Sequence, residues 1–272
     1  MRGRGNTVRR IFAAAAAIAA VTLGLSLALA GVALAQTLSP IAPLPGEMPA
    51  QCSVPRALYV DDTALPKTAK KLARGTLAIV AIGSSSTLGV GASSSEAAWP
   101  ARLEAELRRR LPQADIAVVN RGKLRESAAA MVKRMAGEAL AAKPDLVIWE
   151  TGTAEAVRNM GAEYFAAALE DGAERILASG AELVLMTPQF SRETARLIGY
   201  QPYIEAMGNL SVRADVLIFP RYDVMRHLVE TNQLQLEGLS PAQAAATADR
   251  LYDCIARQVA RVLLRAMAAA PR

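Results

Sequence analysis

Five short apolar runs constrain this chain more than any other feature. They are Thr76–Ile82, Asp115–Asn120, Asp145–Glu150, Glu182–Met186 and Ala214–Phe219. Each is rich in Val, Ile or Leu and does not alternate with polar residues. Runs of that kind are strands buried on both faces, as in a parallel sheet. Parallel neighbours need crossover helices, and helical patterns lie between the runs. Trp99, Leu103, Leu107 and Leu111 recur at four-residue spacing, with Pro100 at the start, where a missing N–H costs little. Phe165, Leu169, Ala173 and Ile176 repeat the pattern, and Gly180 follows as a helix stop. Helices are also expected over Glu126–Ala142, Tyr222–Glu230 and Pro241–Met267, the last being the longest, with an interrupted helix as the alternative. Strand–helix alternation repeated five times implies a doubly wound α/β sheet with helices on both faces.

The chain ahead of these runs has a different character. Arg2, Arg4, Arg9 and Arg10 precede an apolar, alanine-rich stretch, Ile11–Leu34, and "ALAQ" at Ala33–Gln36 fits a cleavage site after Ala35. Residues 1–35 are therefore expected to be a signal peptide, with an uncleaved membrane anchor as the alternative. Removing them leaves 237 residues and takes the formal charge from +6 to +2. No basic block suited to nucleic acid remains, and no membrane span is expected after cleavage. Residues 36–74 read as an extended, proline-rich arm, and residues 75–268 as the folded domain. Cys52 and Cys254 both survive cleavage. An even cysteine count in an exported chain, periplasmic or secreted, points to one disulfide, against two buried thiols. Two cysteines and one histidine without ligand spacing give no metal site, and nothing implies a cofactor.

In a doubly wound sheet, ligands lie beyond the carboxyl ends of the strands. Three loops converge there: Gly83–Thr87 ("GSSST"), Asn120–Ser127 ("NRGKLRES") and Trp149–Glu155 ("WETGTAE"). The first two strands are expected to be neighbours, which places Ser85 beside Arg125.

The order of these loops resembles the SGNH (GDSL-like) hydrolases, over about Gly75 to Arg261. The resemblance implies a three-layer, flavodoxin-like α/β sandwich with a five-stranded parallel sheet, and ester hydrolysis. It places the nucleophile at Ser85, in Gly83-Ser84-Ser85-Ser86-Thr87-Leu88-Gly89. It places an oxyanion-region N–H at Gly122, but two later glycines of the second block are Leu124 and Arg125 here. The asparagine donor of the third block is Ala154. The final Asp-x-x-His block reads Glu237-Gly238-Leu239-Ser240, so Glu237 stands at the acid position and Ser240 at the histidine position.

Each substitution has a local reading. "SPAQ" makes Ser240 an N-cap, with Pro241 at the first helical position and Gln243 closing a capping box. His227, the sole histidine, falls in the helix after the fifth strand, outside hydrogen-bond reach of Ser85. Glu150, Glu155 and Glu237 are the acids that could reach the crevice, since burial can raise a carboxyl pKa enough for base chemistry. Ser84 and Ser86 read as turn and cap hydroxyls. Lys123 and Arg125 either turn to water or join Ser84 and Ser85 in an anion pocket.

Three functions follow. One is a degenerate relative that binds an acyl, glycan or anionic ligand. The second is an active serine esterase with an unusual base, Glu237 or His227. The third is an envelope interaction protein.

Overall fold

The computed structural model describes residues 52–59 and 61–270. The expected leader and the segment Gln36–Pro49 lie outside them. The strands are β1 (Thr76–Gly83), β2 (Asp115–Gly122), β3 (Leu146–Glu150), β4 (Glu182–Met186) and β5 (Leu217–Phe219). They form one parallel sheet in the order β2-β1-β3-β4-β5. In chain order the helices are α1 (Pro66–Leu72), α2 (Ser85–Leu88), α3 (Trp99–Arg110), α4 (Ala128–Arg134), α5 (Thr153–Arg158), α6 (Ala162–Ala178), α7 (Arg192–Leu197), α8 (Gln201–Ala214), α9 (Arg221–Glu230) and α10 (Pro241–Ala268).

The two-residue period of the strands divides the core into two layers. Leu77, Ile79 and Ala81 of β1 and Ile148 of β3 pack with Trp99 and Leu103 of α3 and Ile255, Val259 and Leu263 of α10. Val80, Ile82 and Trp149 face the other way, onto Met131 of α4, Phe165 and Ile176 of α6, and Met207 of α8. Every residue of β3 and β4 is buried, which is why those runs show no alternation.

Several elements depart from the sequence expectation. The 126–142 stretch is not one helix. α4 ends at Arg134, and Met135–Ala139 forms a π-turn, followed by a 3-10 turn at Leu140–Ala142. Arg121 supplies a cause, because its Nε donates to the Glu138 carbonyl at 2.9 Å and replaces a helical partner. β5 starts at Leu217 rather than near residue 214, because α8 runs to Ala214 and Asp215 closes it with φ 52°. α10 is continuous.

The arm is not extended where it is described. Tyr59 is buried, its hydroxyl donating to Gln258 Oε1 at 2.6 Å. Glu182 accepts the N–H groups of Lys67 and Thr68 at 2.9 and 2.7 Å, which caps α1. The Cys52–Cys254 disulfide ties the arm to α10, with Cα atoms 5.6 Å apart. It spans 202 residues of sequence, so loop-closure reasoning gives a stabilisation of about 5 kcal/mol. Native protein should show no alkylatable thiol by mass spectrometry and two after reduction, and reduction should lower the denaturation midpoint. Two reactive thiols in native, air-exposed protein would contradict the bridge.

Candidate functional site

β1 ends in a sharp turn that presents Ser85 at the start of the one-turn helix α2. Below it lies a buried charge. Glu150, the last residue of β3, is fully buried and accepts from Ser84 N–H at 2.9 Å, Ser84 Oγ at 3.1 Å and Thr87 Oγ1 at 3.0 Å. Its other oxygen accepts from Arg221 Nη2 at 3.1 Å. Arg221, at the start of α9, is 2 % exposed and also donates to Ser86 Oγ at 2.6 Å and to the Thr187 carbonyl at 3.1 Å. Burial alone would push the Glu150 carboxyl up. The Arg221 guanidinium and the Ser84 and Thr87 donors outweigh it and hold the carboxyl below the usual glutamate range.

Gly83 and Gly122 make this arrangement possible. A Cβ on Gly83 would sit 2.1 Å from Thr87 Oγ1, and one on Gly122 would sit 2.1 Å from the Leu88 nitrogen. The end of β2 thus packs directly on α2, and Asn120 Nδ2 secures the contact by donating to the Thr87 carbonyl at 2.7 Å.

The second loop then crosses in front of the serine. Arg125 adopts φ 54°, the left-handed conformation that a glycine would take more cheaply, and its N–H donates to Ser85 Oγ at 2.9 Å. Arg158 Nη2, from α5, donates to the Arg125 carbonyl at 2.7 Å. Glu155 fixes the loop's far end. One of its oxygens accepts the Ala128 N–H at the start of α4. The other is buried with no partner among the described residues. Burial pushes the Glu155 carboxyl up, against the backbone N–H groups of Ala128, Glu155 and Gly152, and the nearby Glu150 charge adds to the rise.

These loops enclose a cleft of about 170 Å³. Ser85, Arg125, Ala154, Val157, Arg158 and Gln189 are among the residues that line it, with Ser84, Ser86 and Thr153. Ser85, Arg125 and Ala154 therefore come together as the sequence placed them. Ser84 lines the cleft, but its hydroxyl is committed to Glu150.

The other sequence candidates lie elsewhere. Lys123 Nζ pairs with Glu138 at 2.7 Å and lines no part of the cleft. The Gly122 N–H donates to its neighbour Asn120 Oδ1 at 2.8 Å, so it is not free for an oxyanion. Glu237 accepts the N–H of Arg192, the first residue of α7, at 2.8 Å. Ser240 is the N-cap of α10 in a capping box with Gln243. His227 lies on α9 and does not line the cleft.

Sequence reasoning missed Val157, Arg158, Gln189 and Arg221. The first two had a signal: Ala154, Val157 and Arg158 stand at i, i+3 and i+4, one face of a helix. Gln189 follows β4, whose carboxyl end opens on the same side of the sheet.

The described geometry agrees with comparison to known proteins. The model of the Non-GDSL lipase-like family matches residues 51–269, and the chain belongs to that family. Its fold is that of the SGNH hydrolases. A two-domain esterase active on acetylated mannans, co-crystallised with mannopentaose, superposes with a TM-score of 0.63 at 18 % identity, over 77 % of this chain and 56 % of that one. A catalytic mutant of the acetylxylan esterase Axe2 from Geobacillus stearothermophilus gives a TM-score of 0.57 at 18 % identity, over 69 % and 94 %. The lipase/acylhydrolase from Enterococcus faecalis gives 0.54 at 20 %, over 68 % and 96 %. At these identities the structures establish the fold alone. No curated protein matches the sequence.

Two outcomes test the support beneath the cleft. Glu150→Gln strands a buried guanidinium and should cost about 3–5 kcal/mol in chemical denaturation. Glu150→Leu combined with Arg221→Met should cost less than the two single changes added together. Glu155 has the opposite sign. Its folded carboxyl binds a proton more tightly than the unfolded one, so its contribution is lost as pH rises above the usual glutamate range. Glu155→Gln keeps the acceptor for Ala128 and removes that loss. Its stability relative to the parent should improve as pH rises above the usual glutamate range; a constant difference would show that folding leaves the proton affinity of the carboxyl unchanged.

Proposed function

We propose that this chain is an exported, non-hydrolytic or weakly hydrolytic member of the SGNH fold, which uses the Ser85 cleft to bind an acyl, glycan or other anionic ligand. One observation carries the reading. The Ser85 oxygen is met by a donor, the Arg125 N–H, and no imidazole or carboxylate lines the cleft among the described residues. A serine nucleophile needs an acceptor for its proton. Here the hydroxyl oxygen accepts an N–H, and the lining supplies no basic group to take the proton.

The loss is large on general grounds. A positioned base is worth roughly 100- to 10,000-fold in rate. An oxyanion donor of the kind that Ala154 lacks is worth roughly 100- to 1000-fold. The two arginines at the cleft add positive charge where an anionic group would rest.

Export is supported by the basic and apolar leader of the sequence and by the disulfide, a bond that persists in oxidising compartments. Among the described residues no helix is long and apolar enough to cross a membrane.

Hydrolysis of 4-nitrophenyl butyrate tests the proposal. The chain should cleave it little faster than buffer, and Ser85→Ala should change the rate less than about twofold, as expected when the hydroxyl takes no part in the chemistry. A loss of about tenfold or more in Ser85→Ala would overturn the non-hydrolytic reading and make Ser85 a working nucleophile.

A further inference from the structure

We infer that the ligand of the Ser85 cleft is an acyl carboxylate, with its head group on Arg125, Arg158 and the Ser85 hydroxyl and its alkyl chain on the apolar rim. This rests on the preceding proposal that the cleft binds rather than turns over, and it names the ligand class.

The head group follows from hydrogen-bond polarity. Arg125 and Arg158 both line the cleft, and neither forms an ion pair among the described residues. Arg158 spends one N–H on the Arg125 carbonyl, which fixes its planar fork over the second loop. The rest of that fork has no partner among the described residues. Ser85 Oγ accepts the Arg125 N–H, which leaves its own proton available to a ligand. Two guanidinium forks and one O–H present donors only, and a carboxylate presents acceptors only. Charge-assisted pairs of this kind are the strong ones.

The tail follows from what surrounds the donors. Ala154 and Val157 form an apolar wall. The described residues include seven exposed large apolar side chains, and three of them, Leu88, Leu124 and Val157, belong to the three segments that build the cleft. Val157 lies in the cleft lining itself, while Leu88 and Leu124 are exposed on the bordering segments outside it, and exposed apolar surface beside a polar site suits a binding surface. It suits a hydrocarbon chain. A pyranose is less well served, because no aromatic ring lines the cleft for its face to stack on. A bare phosphate would leave the rim unused.

Titration calorimetry on the full chain, below micelle concentrations, separates these ligands. The probes are sodium acetate, sodium octanoate, octanamide, inorganic phosphate and an acetylated xylo-oligosaccharide. Octanoate should bind best. Octanamide should bind about tenfold more weakly, since it carries no negative charge to pair with the guanidinium groups and brings N–H donors of its own. Affinity should rise from acetate to octanoate by about twofold or more per methylene until the rim is covered. Arg125→Gly suits the left-handed backbone at that position and removes only the side chain, so it should keep the parent melting temperature and weaken octanoate about tenfold. Arg158→Gln should weaken it similarly.

Equal affinity for octanoate and octanamide would overturn the assignment. So would phosphate or acetate binding as tightly as octanoate, binding of the oligosaccharide alone, or wild-type octanoate affinity in both arginine variants. Serine-dependent cleavage of 4-nitrophenyl octanoate together with tight octanoate binding would sink the non-hydrolytic reading and leave the carboxylate assignment standing, with octanoate then the product.

Discussion

The Glu150–Arg221 ion pair governs the arrangement of the cleft. It sits where charge is most expensive, with both side chains nearly inaccessible to water. Such a pair survives only when the remaining lone pairs and protons are also satisfied. That requirement recruits the neighbours: Ser84, Thr87 and Ser86 from the turn after β1, and the Thr187 carbonyl after β4. The carboxylate and guanidinium therefore bind β1, β3, β4 and α9 together at the carboxyl edge of the sheet. Ser85 rides on the turn they hold. Its position is set from below, by groups whose hydrogen bonds are already committed to one another.

The loop above the serine is held by different means. Backbone contact between Gly122 and Leu88 brings β2 against α2, and Glu155 anchors the start of α4. Between these fixed points the chain must cross in few residues, and Arg125 takes a left-handed conformation to do so. For a residue with a Cβ that costs about 1–2 kcal/mol. The Arg125 N–H bond to Ser85 and the Arg158 bond to its carbonyl satisfy both backbone groups and offset the cost. Arg125 is thus built into the cleft twice, through its backbone and through its charge.

The layers of the fold were legible because hydrophobic pattern is a local property. β4 was read to the residue, since its five positions are all buried and its flanks are not strand-like. α8 was missed. Its apolar face, Tyr203, Met207 and Leu210, follows Pro202 and Gly199, which read as breakers, and its last turn merges with the apolar run before β5. The site was legible in part for a related reason. Ser85, Arg125 and Ala154 lie at strand ends, where topology alone sends side chains to one crevice. Lys123 lies there too, yet a long exposed side chain finds the nearest acid, and Glu138 is within reach. Arg221 left no trace, because its partner Glu150 is 71 residues away and an arginine at a helix start looks like a solvated charge. Glu237 and Ser240 kept the spacing of a catalytic block while their side chains went to the backbone of α7 and α10.

Hydrogen-bond direction explains how one scaffold supports either hydrolysis or retention of a ligand. In a serine hydrolase the hydroxyl donates to a base, and donors surround the substrate oxygen where charge develops. In this chain the hydroxyl oxygen receives the Arg125 N–H, and no imidazole or carboxylate lines the cleft among the described residues to take its proton. Ala154 offers the cleft a methyl group, and positive charge lies on the exposed Arg125 and Arg158. A transition-state oxyanion exists only while a carbonyl is under attack, whereas a carboxylate carries its charge in the ground state. Donors on exposed guanidinium groups suit a charge that is already present, because they lower the energy of the resting ligand. Stabilisation of that kind retains a bound molecule without accelerating its reaction. Under the proposed function the residues at positions 125, 154, 237 and 240 form one consistent set, in which proton transfer is given up and ground-state binding of an anion is favoured.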